Sequence, residues 1–399
     1  MAIPKHEQTI SLWTIFLTFL KLGCTAFGGP LAHIGFFHQT FVKTKHWLAN
    51  EDFASLVAVC QFIPGPTSSQ VGMAIGLKQG RYLGALAAWV GFTAPSALLM
   101  IGLAFVLSPE QSWRELSLFH GLKLFAIAVV MHALWGMSQQ LCPDFRRRIW
   151  VLIALCLCLW IEHPLSQLSV IGLSGLFGYC FLRNIPQVQS TKQLSFDINK
   201  KASFIAFALF ISIFIIGAVV AAGFNVHAVQ VFDSFYRAGS LVFGGGHVVL
   251  PLLEAEFVES GQVELQTFLS GYGAAQAIPG PLFTFAAFLG SSIDGGSYGV
   301  FGGLIAIVII FLPSILLLIF ILPLWLKIQQ SVHVQFVVAG LNTGVVGLLS
   351  AALINPIIVS SIHEPLDVLF SFIIFIIMKT RIPLIALLAG VICSSSLLF

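Results

Sequence analysis

Lys21-Leu22-Gly23-Cys24-Thr25-Ala26-Phe27-Gly28-Gly29 stands near the start of the chain, and Arg237-Ala238-Gly239-Ser240-Leu241-Val242-Phe243-Gly244-Gly245 stands well past its middle. The two share a basic residue, a glycine two positions on, and a Phe-Gly-Gly at the same spacing. Downstream of the first comes Gln61-Phe62-Ile63-Pro64-Gly65-Pro66; downstream of the second comes Gln276-Ala277-Ile278-Pro279-Gly280-Pro281. The offset is 216 from residue 21 to 237 and 215 from residue 61 to 276. Two uncommon motifs held at one offset mark an internal repeat. Gly84 falls opposite Gly299, Pro95-Ser96 resembles Pro313-Ser314, and Pro164-Leu165 resembles Pro383-Leu384. The repeats are therefore 11–183 and 227–399. Residues 184–226 join them through a basic loop and an apolar span near 203–223.

The repeats lie in a chain built for lipid. Of 399 residues, 58% are hydrophobic and 9% charged, with mean hydropathy +0.97. A soluble domain carries about 25% charged residues. The apolar runs reach the roughly 20 residues a helix needs to cross a bilayer, and no alternating strand pattern suggests a barrel. The expected fold is all-α: a polytopic membrane protein with two inverted-topology repeats, its helices broken or re-entrant at the Gly-Gly and Pro-Gly-Pro motifs.

The topology turns on the Pro-Gly-Pro. Segment 53–63 is apolar but reaches only about 16 Å as a helix, half of a hydrocarbon core. Pro64 ends it, and a second short helix can run from Thr67 to Leu77. If such segments turn back, Lys43, Lys45, Lys78, Arg81, Arg146, Arg147, Arg148, Arg183, Lys192, Lys200 and Lys201 share one face. The odd joining span then inverts the second half. Its acidic stretch with Glu254, Glu256, Glu259 and Glu264 falls on the other face, while Lys327, Lys379 and Arg381 return to the first. That satisfies the positive-inside rule; full crossing at Pro-Gly-Pro would not. The prediction is nine full spans and four re-entrant segments, the first being 11–43, hinged at Gly28-Gly29-Pro30. Inverted repeats with broken helices are the common plan of secondary transporters.

Few residues within the apolar segments can do chemistry. Lys21 and Arg237, at equivalent places, suggest an anion pathway; the alternatives are snorkelling and a neutralising pair with a carboxylate such as Glu254. A helix starting in mid-membrane offers free N–H groups and positive partial charge, and Thr67, Ser68 and Ser69 add hydroxyls there. The corresponding Leu282-Phe283-Thr284 is more apolar, so the first repeat is expected to hold more of a ligand. Alternatively, Pro-Gly-Pro only lets the hairpins pack closely. Gln61 and Gln276 can donate to an anion or satisfy broken-helix carbonyls. His33 and His247 can titrate or simply pack. Lys123, whose counterpart is Asn342, is expected to snorkel. The seven cysteines lack any metal or disulfide spacing and read as apolar packing. The N-terminus reads as retained rather than processed. No metal, nucleotide or nucleic-acid motif occurs, so no cofactor and no nucleic-acid partner are expected.

Phe27-Gly28-Gly29-Pro30-x-Ala32-His33-Ile34, then Trp47-Leu48, then Pro64-Gly65-Pro66-Thr67-Ser68 resembles the N-terminal domain of the chromate ion transporter family. Phe243-Gly244-Gly245-Gly246-His247-Val248-Val249-Leu250-Pro251-Leu252, followed by Gln276 to Pro281, is similar to its second domain. The resemblance spans nearly the whole chain. It implies secondary transport of chromate, outward across the inner membrane, with sulfate a related tetrahedral dianion. The expected ligand site is Lys21, Gly28, Gly29, Gln61, Pro64, Gly65, Pro66, Thr67, Ser68, Arg237, Gly244, Gly245, His247, Gln276, Pro279, Gly280 and Pro281, with rocking of one repeat against the other alternating access. The expected partners are the oxyanion and the bilayer, and a homodimer is an assembly open to such a protein. An anion channel, or a membrane enzyme on a lipid phosphate using His33, His247 or Glu254, are the rival classes.

Overall fold

The computed structural model describes residues 10–106, 117–161, 166–182, 196, 198–223, 226–243, 246–325, 328, 331–380, 387, 390 and 391. Every regular element among them is helical. Pro164-Leu165, Pro383-Leu384, Arg183, Lys192, Lys327, Arg381, Gly244 and Gly245 lie outside the described residues.

Helix α1 (Leu12–Thr25) starts on Ser11, whose hydroxyl accepts from the Thr14 N–H, and stops as Ala26 turns extended. Gly28, at φ 96°, lets the chain restart as α2 (Gly29–Phe37) with Pro30 in its first turn. Then come α3 (Asn50–Phe62), the break at 63–66 and α4 (Thr67–Val106). Helix α4 reverses at Gly80 and Arg81, both non-helical, into limbs 67–79 and 82–106. A Cβ on Gly76 would meet the Gly84 carbonyl and sit 2.7 Å from Ala88 Cβ, so the limbs touch along their backbones.

Helices α5 (Ser117–Leu141), α6 (Phe145–Trp160), α7 (Ser166–Phe181) and α8 (Lys200–Gly223) lead to the second half. There α9 (His227–Leu241), α10 (Val249–Phe257), α11 (Leu265–Ala277), α12 (Phe285–Ser292) and α13 (Gly299–Ile321) retrace the first five limbs. Helices α14 (Val332–Ala352) and α15 (Pro365–Met378) follow.

Four hairpins result, one for each segment read as re-entrant. In the first, Phe19 stacks on Phe41 at 4.9 Å; in its counterpart Phe235 meets Phe257 at 4.4 Å, and both residues of the second pair stand 216 positions after those of the first. The α3/67–79 hairpin closes at its open end, where Lys78 Nζ pairs with Asp52 at 3.3 Å and Gln79 Nε2 donates to the Trp47 carbonyl at 2.9 Å. The α11/α12 hairpin closes likewise, with the Asp294 N–H donating to the Gln262 carbonyl at 3.1 Å.

The halves interlock by exchange. The Gly65 N–H donates to the Val242 carbonyl at 2.7 Å, and the Gly280 N–H donates to the Ala26 carbonyl at 3.0 Å. Each Pro-Gly-Pro tip thus caps the frayed end of the other half's first helix, whose last carbonyls have no intrahelical partner. Gly65 also faces Ser314, and Gly280 faces Ser96. Helix α6 packs on α14, and its counterpart α15 packs on α5.

One expectation is corrected here. The structural counterpart of Gly84 is Gly302 rather than Gly299, because Gly290 and Gly302 cross as Gly76 and Gly84 do, and the turn between them is longer in the second half. Five segments are long and apolar enough to cross a membrane among the described residues: Thr67–Val106, His120–Leu141, Lys200–Gly223, Gly299–Leu324 and Val332–Ser361. Helices α6 and α7, with 16 residues each, reach only about 24 Å.

Candidate functional site

Three hairpin tips converge on a cavity of about 580 Å³. Gly28, Pro30, Ala32 and Ile34 come from the first tip, Gln61 and Thr67 flank the first Pro-Gly-Pro, and His247 comes from the third tip. Helix α5 closes one wall with His132, Ala133, Gly136, Met137, Gln140 and Leu141, and α14 adds Asn342. The first and third tips nearly touch, for a Cβ on Gly29 would lie 3.8 Å from His247 Nε2.

The polar groups behind the wall are tied down. His33, 1% exposed, lies 3.3 Å from the Ser68 hydroxyl through Nδ1 and 3.1 Å from the Ala26 carbonyl through Nε2. Ala26 thus holds both a backbone tip and an imidazole. Gln70 Nε2 donates to the Pro64 carbonyl at 2.7 Å, bracing the bend between Pro64 and Pro66. His247 Nδ1 lies 3.3 Å from both the Tyr272 hydroxyl and Gln276 Nε2. By contrast, two buried lining atoms have no hydrogen-bond partner: His132 Nδ1 and Asn342 Oδ1. Buried polar atoms are rarely left so unless water or a ligand meets them.

No lysine, arginine or carboxylate lines this cavity among the described residues. What positive potential it has comes from helix starts, α2 at Gly29 and α4 at Thr67, whose free N–H groups carry about half a charge each. A second cavity, about 360 Å³, is lined by Glu254 and Glu259. Glu259, outside the spanning segments, has its carboxyl pushed up by burial.

The structure sorts the expected site residues. Gly28, Gln61, Thr67 and His247 line the cavity; Gly29, Pro64, Gly65, Pro66 and Ser68 support it, and Gln276 holds His247. Pro279, Gly280 and Pro281 do not line it, because that tip is spent capping α1. Lys21 is exposed on α1, away from the cavity. Arg237 is also away from it: its Nε lies 2.8 Å from Asp233 Oδ2, and its Nη2 donates to Glu256 Oε2 at 2.8 Å. The neutralising carboxylates are thus Asp233 and Glu256, and Glu254 is not among them. Lys123 does not snorkel; it is 7% exposed. Asp367, 1% exposed, contributes electrostatically there and pairs with His120 at 2.6 Å. Of the cysteines, Cys60 and Cys142 are buried, and burial pushes the Cys142 thiol up to about 11, whereas Cys24, Cys156 and Cys180 are exposed.

Sequence reading missed His132 and Gln140. With Gly136 they stand at i, i+4 and i+8, on one face of the helix, which is the signal that would have found them.

With this geometry in view, similarity to known proteins becomes informative. The sequence profile of the family described as Chromate transporter matches residues 13–179 and 229–394. The chain belongs to the chromate transporter family. An uncharacterized transporter of Methanocaldococcus jannaschii is 25% identical over 357 residues, covering 88% of this chain and 86% of the relative. A chromate transport protein of Pseudomonas aeruginosa is 26% identical over 354 residues, 86% and 80% of the two chains. A probable chromate transport protein of Synechococcus elongatus is 25% identical over 339 residues, 84% and 82%. No solved structure matches the chain. The family profile covers both halves, the helices of 67–106 and 299–324 are long and apolar, and the protein is a membrane protein.

Proposed function

We propose that this protein is a secondary transporter of chromate or a similar tetrahedral oxyanion, and that the 580 Å³ cavity is its binding site. The observation that carries the reading is the lining itself: neutral donors from both halves meeting at three helix breaks. The volume takes an oxyanion with several waters at about 30 Å³ each. Gln61 and Gln140 amides, the Thr67 hydroxyl and the imidazoles of His132 and His247 replace part of the hydration shell. Helix starts supply diffuse positive charge, which favours an anion that must also leave; a lysine in the wall would hold it longer. The family relatives named for chromate transport support the substrate class.

The remaining parts of the reading follow from the same arrangement. The four hairpins are taken as re-entrant, and the two repeats as inverted across an inner (plasma) membrane. The exchanged contacts of Gly65 and Gly280 support a pseudo-two-fold relation between the repeats. Alternating access then comes from rocking one repeat against the other about these tips, with chromate moved outward. The test is radiolabelled chromate flux in proteoliposomes, with sulfate as competitor and bilayer conductance as control. Saturable, sulfate-sensitive flux without conductance is expected. Conductance with non-saturating flux points to a channel, and no flux from folded protein removes the substrate.

A further inference from the structure

The ion cluster around Arg237 is unbalanced. Asp233 and Glu256 both contact the one guanidinium, and Glu256 also accepts from the Ser234 hydroxyl at 2.7 Å. Two carboxylates against one cation leave one negative charge uncompensated. The side chain of Asp233 is 3% exposed, and its Oδ1 has no hydrogen-bond partner. That oxygen faces Gly217 of α8, where even an added Cβ would come within 3.0 Å. A bare carboxylate oxygen buried this way is costly, and no donor among the described residues relieves it.

Among the described residues, the elements packed most closely around it supply no further cation. Helix α13 carries no ionisable side chain, and α8 carries only Lys200 and Lys201, about 24 Å along the helix from Gly217. Helix α10 contributes Glu256, and beyond it Glu259, which adds to the negative charge. The neighbouring cavity, lined by Arg237, Leu241, Glu256 and Gln167 among others, holds about 20 Å³. That is room for one water and too little for a hydrated metal cation.

We propose that Asp233, with Arg237 and Glu256, is a proton-binding site, and that this proton is the one coupled to anion transport. A proton taken up from water forms an O–H bond at Asp233; the water-sized cavity reaches the cluster at Arg237 and Glu256, and no redox step is involved. Protonation leaves Arg237 with Glu256 as its one charged partner and removes the excess charge. The cluster has a physical link to the anion cavity. Helix α9 ends at Val242, whose carbonyl holds the Gly65 N–H, and Gly65 lies between the lining residues Gln61 and Thr67. A shift of α9 on protonation therefore moves the wall of the anion site.

The coupling half of this inference rests on the transport reading above; the proton site does not. Two measurements separate them. In the first, infrared difference spectra of the purified full-length protein are taken across a pH titration. A protonated carboxyl band present in the natural protein, absent in Asp233→Asn and restored in Asp233→Glu, is expected. No such band, or one retained at full strength in Asp233→Asn, overturns the site. In the second, proteoliposomes report protons moved per labelled chromate, a ratio independent of how much protein folds. A fixed ratio in the natural protein that falls to zero in Asp233→Asn and in Glu256→Gln, with gradient-driven accumulation falling to unity, is expected. An unchanged ratio in both variants, or chromate flux without proton movement in the natural protein, overturns the coupling.

Discussion

Gln61 and Thr67 are the residues on which the proposed anion site depends most directly, since each presents a neutral donor to the cavity beside a helix start. A hydrogen bond to a charged group is worth about 1.5–3 kcal/mol, so Gln61→Ala or Thr67→Val should raise the KM for chromate tenfold or more. Concentration-dependent uptake of labelled chromate measures this. Lys21→Gln should leave that KM within error, because the side chain is exposed on α1 away from the cavity. Arg237→Gln should act on stability instead. It strands Asp233 and Glu256 together, at a cost on the order of 3 kcal/mol, the lower end for breaking a buried pair because the guanidinium is 26% exposed. A lowered Tm in detergent is the expected result. The repeat made both cations visible in the sequence, but their roles were not. A basic residue in an apolar run looks the same whether it meets a ligand, lipid headgroups or carboxylates. Asp233 lies four residues before Arg237, one helical turn away, yet the partner that decides the pairing, Glu256, arrives from a different helix.

The helical hairpin is the unit that converts these residues into a site. The proline pairs foretold where helices break, because a residue without an N–H cannot continue the ladder. Breaks near 28 and 63–66 stand where the sequence put them. The reversal at Gly80 and Arg81 was legible too, as a polar loop, Lys78-Gln79-Gly80-Arg81, following a helix that ends near Leu77, but its tightness was not. Its tightness comes from Gly76 and Gly84 meeting along their backbones. Gly76→Leu should therefore pry the α4 limbs apart, and Gly290→Leu should do the same to α12 and α13. Loss of monodisperse protein in size-exclusion chromatography is expected for both, whereas Gly102→Leu, with open space around it, should be tolerated. The wall supplied by α5 was read only as a span. Its stripe of His132, Gly136 and Gln140 gains meaning once the tips face it.

Across the whole molecule, the two halves are bound by exchange, and the orientation of each in the membrane is open to direct labelling. His46 and Ser260 are exposed in the loops after the first and third hairpins. If the repeats are inverted, His46→Cys and Ser260→Cys should react with a membrane-impermeant maleimide from opposite sides of sealed vesicles. Reaction from one side would make the repeats parallel. The motif offset disclosed that there are two halves, but not that each completes the other's helix ends, because hydrogen bonds between distant segments leave no local trace in a sequence. Those bonds also bear on synthesis. Val242 finds Gly65 already made, but Ala26 must wait, for Gly280 leaves the ribosome 254 residues after it. At about 5–20 residues per second, the first tip spends on the order of 10–50 s with its carbonyl uncapped. Over that interval the Ala26 carbonyl has to find another donor, so the N-terminal half completes its packing only once the second Pro-Gly-Pro has been made.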